Sequence, residues 1–355
     1  MRILITGGAG FVGGALARYF SEHEAGHSVV AFDNLRRRGS ELSLRELSAR
    51  GVAFVHGDVR SPSDLEEVEG QFDVLIEASA EPSVLAGTTG SPRYVLDTNL
   101  GGAVNCLELA RRRCAGIVFL STSRVYSIEP LRTLPLRAGP TRFDLEAEGG
   151  LPPGVGWEGL TESFPCDSHR SFYGATKLAA EMLCQEYGAH GGVPFVVNRC
   201  GVIAGPGQYG KTDQGVFTLW VARHFFGRPL RYTGFGGKGL QVRDLLHPDD
   251  LCELIRRQLE AWPSVAGQIF NVGGGRAGSV SLREYSELCR DATGREVPIG
   301  EEPGTNPVDV PWYVSDNHKV FEALAWAPSR RPRHIAADIA AWVEANEGRL
   351  AGVLA

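Results

Sequence analysis

The chain has 355 residues, 43% hydrophobic and 22% charged, enough apolar material for a full core in one large domain or two interleaved lobes. A formal net charge of −6, with runs of three arginines only at 36–38 and 111–113 and no aromatics between them, argues against a nucleic-acid surface. Apolar runs such as VAFV (52–55) and GIVFL (116–120) are too short to span a bilayer, and seven cysteines without a C-x-x-C pair read as reduced thiols in the cytoplasm, with no metal expected.

The first predicted strand, RILIT (2–6), starts directly after Met1, so no leader peptide is expected. ILITGGAGFVGG (3–14) reads as strand, glycine turn and helix, the helix running over 11–24. Gly8-x-Gly10-x-x-Gly13 and Gly7-x-x-Gly10-x-x-Gly13 both fit a dinucleotide turn. Such glycines let the backbone approach a pyrophosphate closely, and the helix N-terminus holds the anion. The second strand, SVVAF (28–32), leads into Asp33. A carboxylate about 20 residues past the turn accepts from an adenosine ribose diol and repels a 2′-phosphate, which favours NAD over NADP. The arginines at 36–38 weaken that preference without reversing it.

A helix over 40–49, the strand VAFV, a helix over 62–70 and the strand DVLIEA (73–78) follow. Asp58, after the third strand, can bond an adenine amino group. Ser79, after the fourth, lies where backbone passes under the pyrophosphate. Either residue equally suits a helix cap. A helix over 92–114 then precedes the fifth strand, GIVFLS (116–121). Near-continuous apolar strands alternating with amphipathic helices indicate an α/β fold, a doubly wound parallel (Rossmann) sheet with ligand at the carboxyl ends of its strands.

FLSTSRVYS (119–127) brings Ser121, Thr122 and Ser123 to that edge, where a hydroxyl can reach a substrate. About forty residues, 127–168, then carry no clear helix or strand, a length expected of a lid or binding loop. The next segment, SFYGATKLAAEML (171–183), places Tyr173 and Lys177 on one face of a helix over 171–189. A neighbouring cation favours the phenolate, so such a tyrosine can serve as general acid or base. Alone this is a weak motif, shared with many exposed helices. Joined to a dinucleotide turn and a strand-end hydroxyl, it describes hydride transfer: Tyr173 takes the proton of a substrate alcohol, and Lys177 bonds the nicotinamide ribose. Beyond PFVVN (194–198), glycine and proline clusters separate shorter helices over 214–226, 248–261, 281–292 and 333–346. The expected division is a NAD-binding domain over 1–198, with 240–272 and its strand QIFNV (268–272) returning to it, and a smaller, interleaved substrate-binding lobe over 199–355.

The glycine turn, Asp33, Asn99 in DTNLGG, Thr122 and Tyr173-x-x-x-Lys177 together resemble the extended short-chain dehydrogenase/reductase family, the nucleotide-sugar epimerases and dehydratases. FLSTSRVYS, RSFYGATKLAAEM, VVNRCGVIAGPGQYGKTDQGVF and GFGGKGLQVRDLLHPDDL resemble more narrowly its CDP-paratose (CDP-tyvelose) 2-epimerase branch. The resemblance implies tightly held NAD and a dimer built from the helices near 92–114 and 171–189. It implies cofactor contacts from Gly7, Gly10, Phe11, Val12, Gly13, Asp33, Asn34, Asp58, Val59, Ala78, Ser79, Ala80, Asn99 and Cys200, besides Tyr173 and Lys177. Ser123, Arg124, Lys211, Gln214 and Arg243 are implied on the substrate side, Arg243 with its fork on the nucleotide diphosphate; its other use is a rim salt bridge with Asp244 or Asp249. The implied reaction oxidises a sugar hydroxyl at C2, turns the keto-sugar and reduces it from the other face. Ser123-Arg124 stands where many members have Asp-Glu, which counts against a 4,6-dehydratase. Cys200-Gly201-Val202 and Asn306 also depart from the common pattern. The competing readings are a C4 epimerase of a UDP- or dTDP-hexose, a net NAD-dependent sugar-nucleotide oxidoreductase, and a non-catalytic NAD sensor. The intact Thr122, Tyr173 and Lys177 argue against the sensor.

Overall fold

Seven strands, Arg2–Thr6 (β1), Ser28–Asp33 (β2), Ala53–His56 (β3), Val74–Glu77 (β4), Ile117–Thr122 (β5), Phe195–Cys200 (β6) and Gln268–Val272 (β7), form one sheet in the order β7-β6-β5-β4-β1-β2-β3. The computed structural model describes residues 1–22, 26–37, 39–146, 150–210 and 214–354. β1 pairs in parallel with β2 and β4, β2 with β3, and β4 with β5. The chain therefore winds outward from β1 to β3, returns to the other side at β4, and leaves a switch point between β1 and β4.

β4 and β5 are buried along their whole length, as expected of strands covered on both faces. Helices Phe11–Glu22 (α1), Gly102–Arg113 (α2), Phe172–His190 (α3) and Pro248–Glu260 (α4) belong to the flanking layers. Cys106, Leu107 and Ala110 of α2 and Ala180 and Cys184 of α3 close one core with Leu4, Leu75, Ile117 and Phe119. A fully buried Leu, Ile or Phe contributes about 1.5–3 kcal/mol, against about 0–1 kcal/mol for an exposed ion pair. Burial against the sheet, not surface charge, holds these helices.

By contacts the chain forms two compact units, 1–125 with 171–199 and 251–270, and 126–170 with 200–250 and 271–355. The anticipated boundary differs in two places: 126–170 groups with the second unit, and of 240–272 only 251–270 groups with the first. The stretch 127–168 is also not structureless. It holds a short helix, Ile128–Arg132, and the hairpins Leu136–Ala138/Phe143–Leu145 and Val155–Gly156/Gly159–Leu160. Strands of two or three residues are too short to show a period, which is why the pattern hid them. Tertiary bonds fix them: Phe143 N donates to Leu240 O at 2.9 Å, Leu160 N to Val314 O at 2.8 Å, and Asn271 Nδ2 to Leu160 O at 2.7 Å.

The second unit has its own sheet, Val202–Ile203, Val242–Leu246, Ser279–Ser281 and Trp312–Tyr313, with Val242–Leu246 pairing with the other three. Its core gathers Trp220, Val221, Tyr285, Cys289, Ile335, Ile339 and Val343 from helices Val216–Phe225, Leu282–Thr293 and Pro332–Ala345. No helix among the described residues is long and apolar enough to cross a membrane.

Candidate active site

β1 ends at Thr6 and the chain turns through Gly7, whose φ is +66°. A Cβ on Gly7 would lie 2.7 Å from Ala78 O, and one on Gly13 would lie 2.1 Å from Gly7 O. Both contacts are with backbone, so no side chain fits at either position. Gly10 N donates to Gly7 O at 3.0 Å, closing the turn into α1. The first turn of α1, with Phe11 and Val12 half-buried, carries no acidic residue. Its free N–H groups and the positive end of its dipole suit an anion.

Asp33 closes β2 against this turn. Its Oδ2 accepts from Ala9 N at 3.1 Å and its Oδ1 from Leu35 N at 2.8 Å. Burial pushes the Asp33 carboxyl up, and the amides of Leu35, Ala9 and Gly10 oppose that without cancelling it. Each carboxylate oxygen keeps a lone pair for a further donor. Asn34 Nδ2 donates to Asp58 Oδ2 at 2.8 Å, and Arg60 Nη2 reaches the same oxygen at 2.6 Å. The Arg60 guanidinium holds the Asp58 carboxyl down at about 2. Val59 beside it is buried. Arg36 and Arg60 stand over the Tyr94 ring, 4.3 and 5.1 Å from its centroid. Arg36 is thus accounted for without a phosphate, and residue 38 lies outside the described residues.

Where β4 ends, Ala78, Ser79 and Ala80 are half-buried, and the Ala78–Ser79 backbone passes directly over Gly7. The Ser79 hydroxyl donates to Glu77 Oε1. Asn99 lies in a π-helical turn, Leu96–Gly101, that interrupts the helix expected over 92–114. Such turns widen a helix and are frequent at functional positions. The Asn99 amide exchanges two bonds with the backbone of Glu81, accepting from its N at 2.7 Å and donating to its O at 3.1 Å.

Thr122 ends β5, buried, and its Oγ1 accepts from Arg124 N at 3.2 Å. Ser123 is buried and Arg124 half-buried in the 3₁₀ turn that follows. α3 starts two residues before Gly174 because Ser171 caps it, its Oγ accepting from Gly174 N at 3.1 Å. Tyr173 is half-buried in the first turn, and Lys177, one turn on, is fully inside. Lys177 Nζ lies 3.3 Å from Glu77 Oε2 and 4.5 Å from the Phe119 ring centroid. Burial drives the Lys177 ammonium down, but the Glu77 carboxylate and the Tyr173 phenol outweigh it, leaving the group above its ordinary value. One turn further, Glu181 accepts from Ser121 Oγ and takes the Arg199 guanidinium at 2.8 Å, again fully buried.

Glu77, Glu181 and Arg199 had no place in the sequence reading. The available signal was a charged residue inside an otherwise apolar strand, as in DVLIEA and FVVNRC; such a charge needs a buried partner.

In the second unit, Cys200 is buried, and the Arg243 guanidinium is turned to Asp309, with Nη2 at 2.7 Å from Asp309 Oδ1 and from Val310 O. The rim pairing expected with Asp244 or Asp249 gives way to this one: Asp244 accepts from Ser315 N at 3.1 Å, and Asp249 faces Arg330 at 3.0 Å. Asn306 is met by an arginine from the 127–168 stretch, Arg132, whose Nη2 donates to Asn306 O at 2.8 Å. Gln214 is half-buried before Gly215, whose φ of +74° opens the helix Val216–Phe225. Lys211 lies outside the described residues.

Residues 3–273 match the family model described as "NAD dependent epimerase/dehydratase family". CDP-paratose 2-epimerase of Salmonella typhi is 29% identical over 342 residues, covering 92% of this chain and 95% of that protein. dTDP-glucose 4,6-dehydratase of Streptomyces niveus is 29% identical over 334 residues, 92% of this chain and 88% of its own. The crystal structure of Thermus thermophilus UDP-glucose 4-epimerase in complex with NAD superposes with a TM-score of 0.76 at 25% identity, covering 97% and 99% of the two chains.

Proposed function

The chain belongs to the NAD dependent epimerase/dehydratase family, and from that premise we propose that it is a nucleotide-sugar epimerase acting at C2 of a CDP-sugar, of the CDP-paratose/CDP-tyvelose type. The observation that carries the reading is the α3 turn, where a half-buried Tyr173 stands one turn before a buried, charged Lys177. The CDP-sugar and the C2 position rest on the DQG and GGKGLQVRD motifs and on the Salmonella relative.

The residues fit NAD. The side-chain-free turn at Gly7, Gly10 and Gly13 with the N-terminus of α1 would take the pyrophosphate, Asp33 the adenosine ribose, and Lys177 the nicotinamide ribose. When bound, NAD supplies a reversible acceptor for the hydride of the sugar carbon. Tyr173 then acts as general base on the C2 hydroxyl, with the Thr122 hydroxyl fixing that oxygen, and the sugar becomes a ketone. Arg243, exchanging its Asp309 partner for the nucleotide diphosphate, would retain it with Lys211 and Gln214 while the keto-sugar turns. Tyr173 returns the proton as the opposite face is reduced. No net redox change results, which suits a cofactor that stays bound. Ser123 and Arg124 in place of an acid pair count against dehydration. We further assign a homodimer through α2 and α3, and a cytoplasmic setting in keeping with seven cysteines held as thiols.

A rival reading, C4 epimerisation of a UDP-hexose, draws on the Thermus neighbour. One experiment separates them. CDP-, UDP-, GDP- and dTDP-sugars are incubated with the protein in deuterated water and followed by NMR. Inversion at C2 of a CDP-sugar without deuterium at that carbon is expected. Inversion at C4 selects the rival, and deuterium at the inverted carbon would mean proton abstraction beside a carbonyl and end the hydride mechanism.

A further inference from the structure

We propose that Glu77 is a positioning residue for the reaction: from the end of β4 it holds Lys177 in place as an ammonium ion, and so sets the pH range over which Tyr173 can work. Glu77 and Lys177 are each 2% exposed, and Lys177 Nζ donates to Glu77 Oε2 at 3.3 Å. The other carboxylate oxygen accepts from the Ser79 hydroxyl, which lies 3.4 Å from Thr6 Oγ1. Both ends of the carboxylate are therefore fixed by groups from β1, the segment after β4, and α3.

The remaining neighbours of Lys177 do not replace this charge. From α2 and from its own helix come the thiols of Cys106 and Cys184, both pushed up by burial and so neutral. From β5 comes the face of Phe119, a weak partner beside a full negative charge. Glu181, one turn along α3, is already paired with Arg199 of β6 and bonded by Ser121. Tyr173 also favours the ammonium, but after Glu77 and only through its own negative charge. Burial disfavours an ammonium, and a neutral amine cannot favour a phenolate. Without Glu77, Lys177 would lose its proton at lower pH, and the basic limb of turnover would follow it down.

The consequence for turnover rests on the epimerase reading; the consequence for Lys177 does not. The chain contains only four lysines, 177, 211, 238 and 319, so lysine labelled with ¹³C at Cε gives four signals. Loss of one in Lys177→Arg assigns it. In NAD-loaded Glu77→Gln the Lys177 titration midpoint is expected to fall by about one pH unit or more, the basic limb of kcat to fall with it, and KM and bound NAD to stay unchanged. An unmoved midpoint, or a change in KM with an unmoved pH profile, overturns the proposal. If Glu77→Gln does not fold, Glu77→Asp, which keeps the charge and withdraws it by one methylene, replaces it. A downward shift of the same midpoint supports the proposal, and an unchanged midpoint with unchanged kcat overturns it. A wild-type protein inert on every sugar nucleotide sinks the epimerase reading, and the lysine titration still decides the role of Glu77.

Discussion

A methyl group at position 13 would sit 2.1 Å from the carbonyl oxygen of Gly7. That oxygen is main chain in a closed turn, so it cannot move aside as a side chain would. Gly13→Ala is expected to lose about 1–3 kcal/mol of stability, the usual cost of overpacking, and most of its bound NAD. Urea unfolding and the cofactor released on denaturation measure the two effects. Tyr173→Phe tests the chemistry instead. It keeps the ring and removes the acid–base group, so turnover should fall about 10²–10⁴-fold with NAD content unchanged. Turnover at the wild-type level would remove Tyr173 from the reaction, and an NAD sensor would show no dependence on it at all.

α4 adds a charge cluster to the apolar face that holds it, where Leu251, Leu254 and Ile255 are buried. Glu253 accepts from Tyr19 of α1 at 2.9 Å and from Arg256 and Arg257 of its own helix at 2.7 and 2.9 Å. The Arg256 guanidinium leads the groups that hold the Glu253 carboxyl at about 2, below its ordinary 4.5. A carboxyl depressed in the folded state adds stability that is complete above its unfolded value and is lost as pH falls through the folded one. The cluster should therefore weaken between pH 4.5 and about 2. Glu253→Gln is expected to be less stable than the parent at pH 6 and to lose less on acidification. Urea midpoints at about pH 6 and about pH 2.5 for both proteins check this, and parallel losses would remove Glu253 from the acid response.

The assembly question belongs to the whole molecule. α3 turns Lys177, Ala180 and Cys184 inward, while Met182 is 60% exposed and Phe172 is 42% exposed. An exposed apolar side chain on a helix assigned to a dimer contact is the place to interrupt it. The parent is expected to elute at twice the chain mass, and Met182→Glu at the mass of one chain with NAD still bound. Light scattering after size exclusion distinguishes the two, and a monomeric parent would withdraw the dimer.

The sequence by itself determined the α/β class, the strands of the large sheet to within a residue or two, the glycine turn, and the Tyr173–Lys177 spacing. All of these are local: a buried strand reads as an apolar run, a tight turn needs glycine, and residues four apart share a helix face. Only the tertiary structure decided what Lys177 pairs with, because Glu77 lies 100 positions away in the chain. It likewise turned Arg243 to Asp309, 66 positions on, and folded 127–168 through bonds to strands and loops that come far later. A buried charge demands a partner but leaves its address open. That address is set by which strand ends and helix faces the winding of the sheet brings together, and no periodicity along the chain records it.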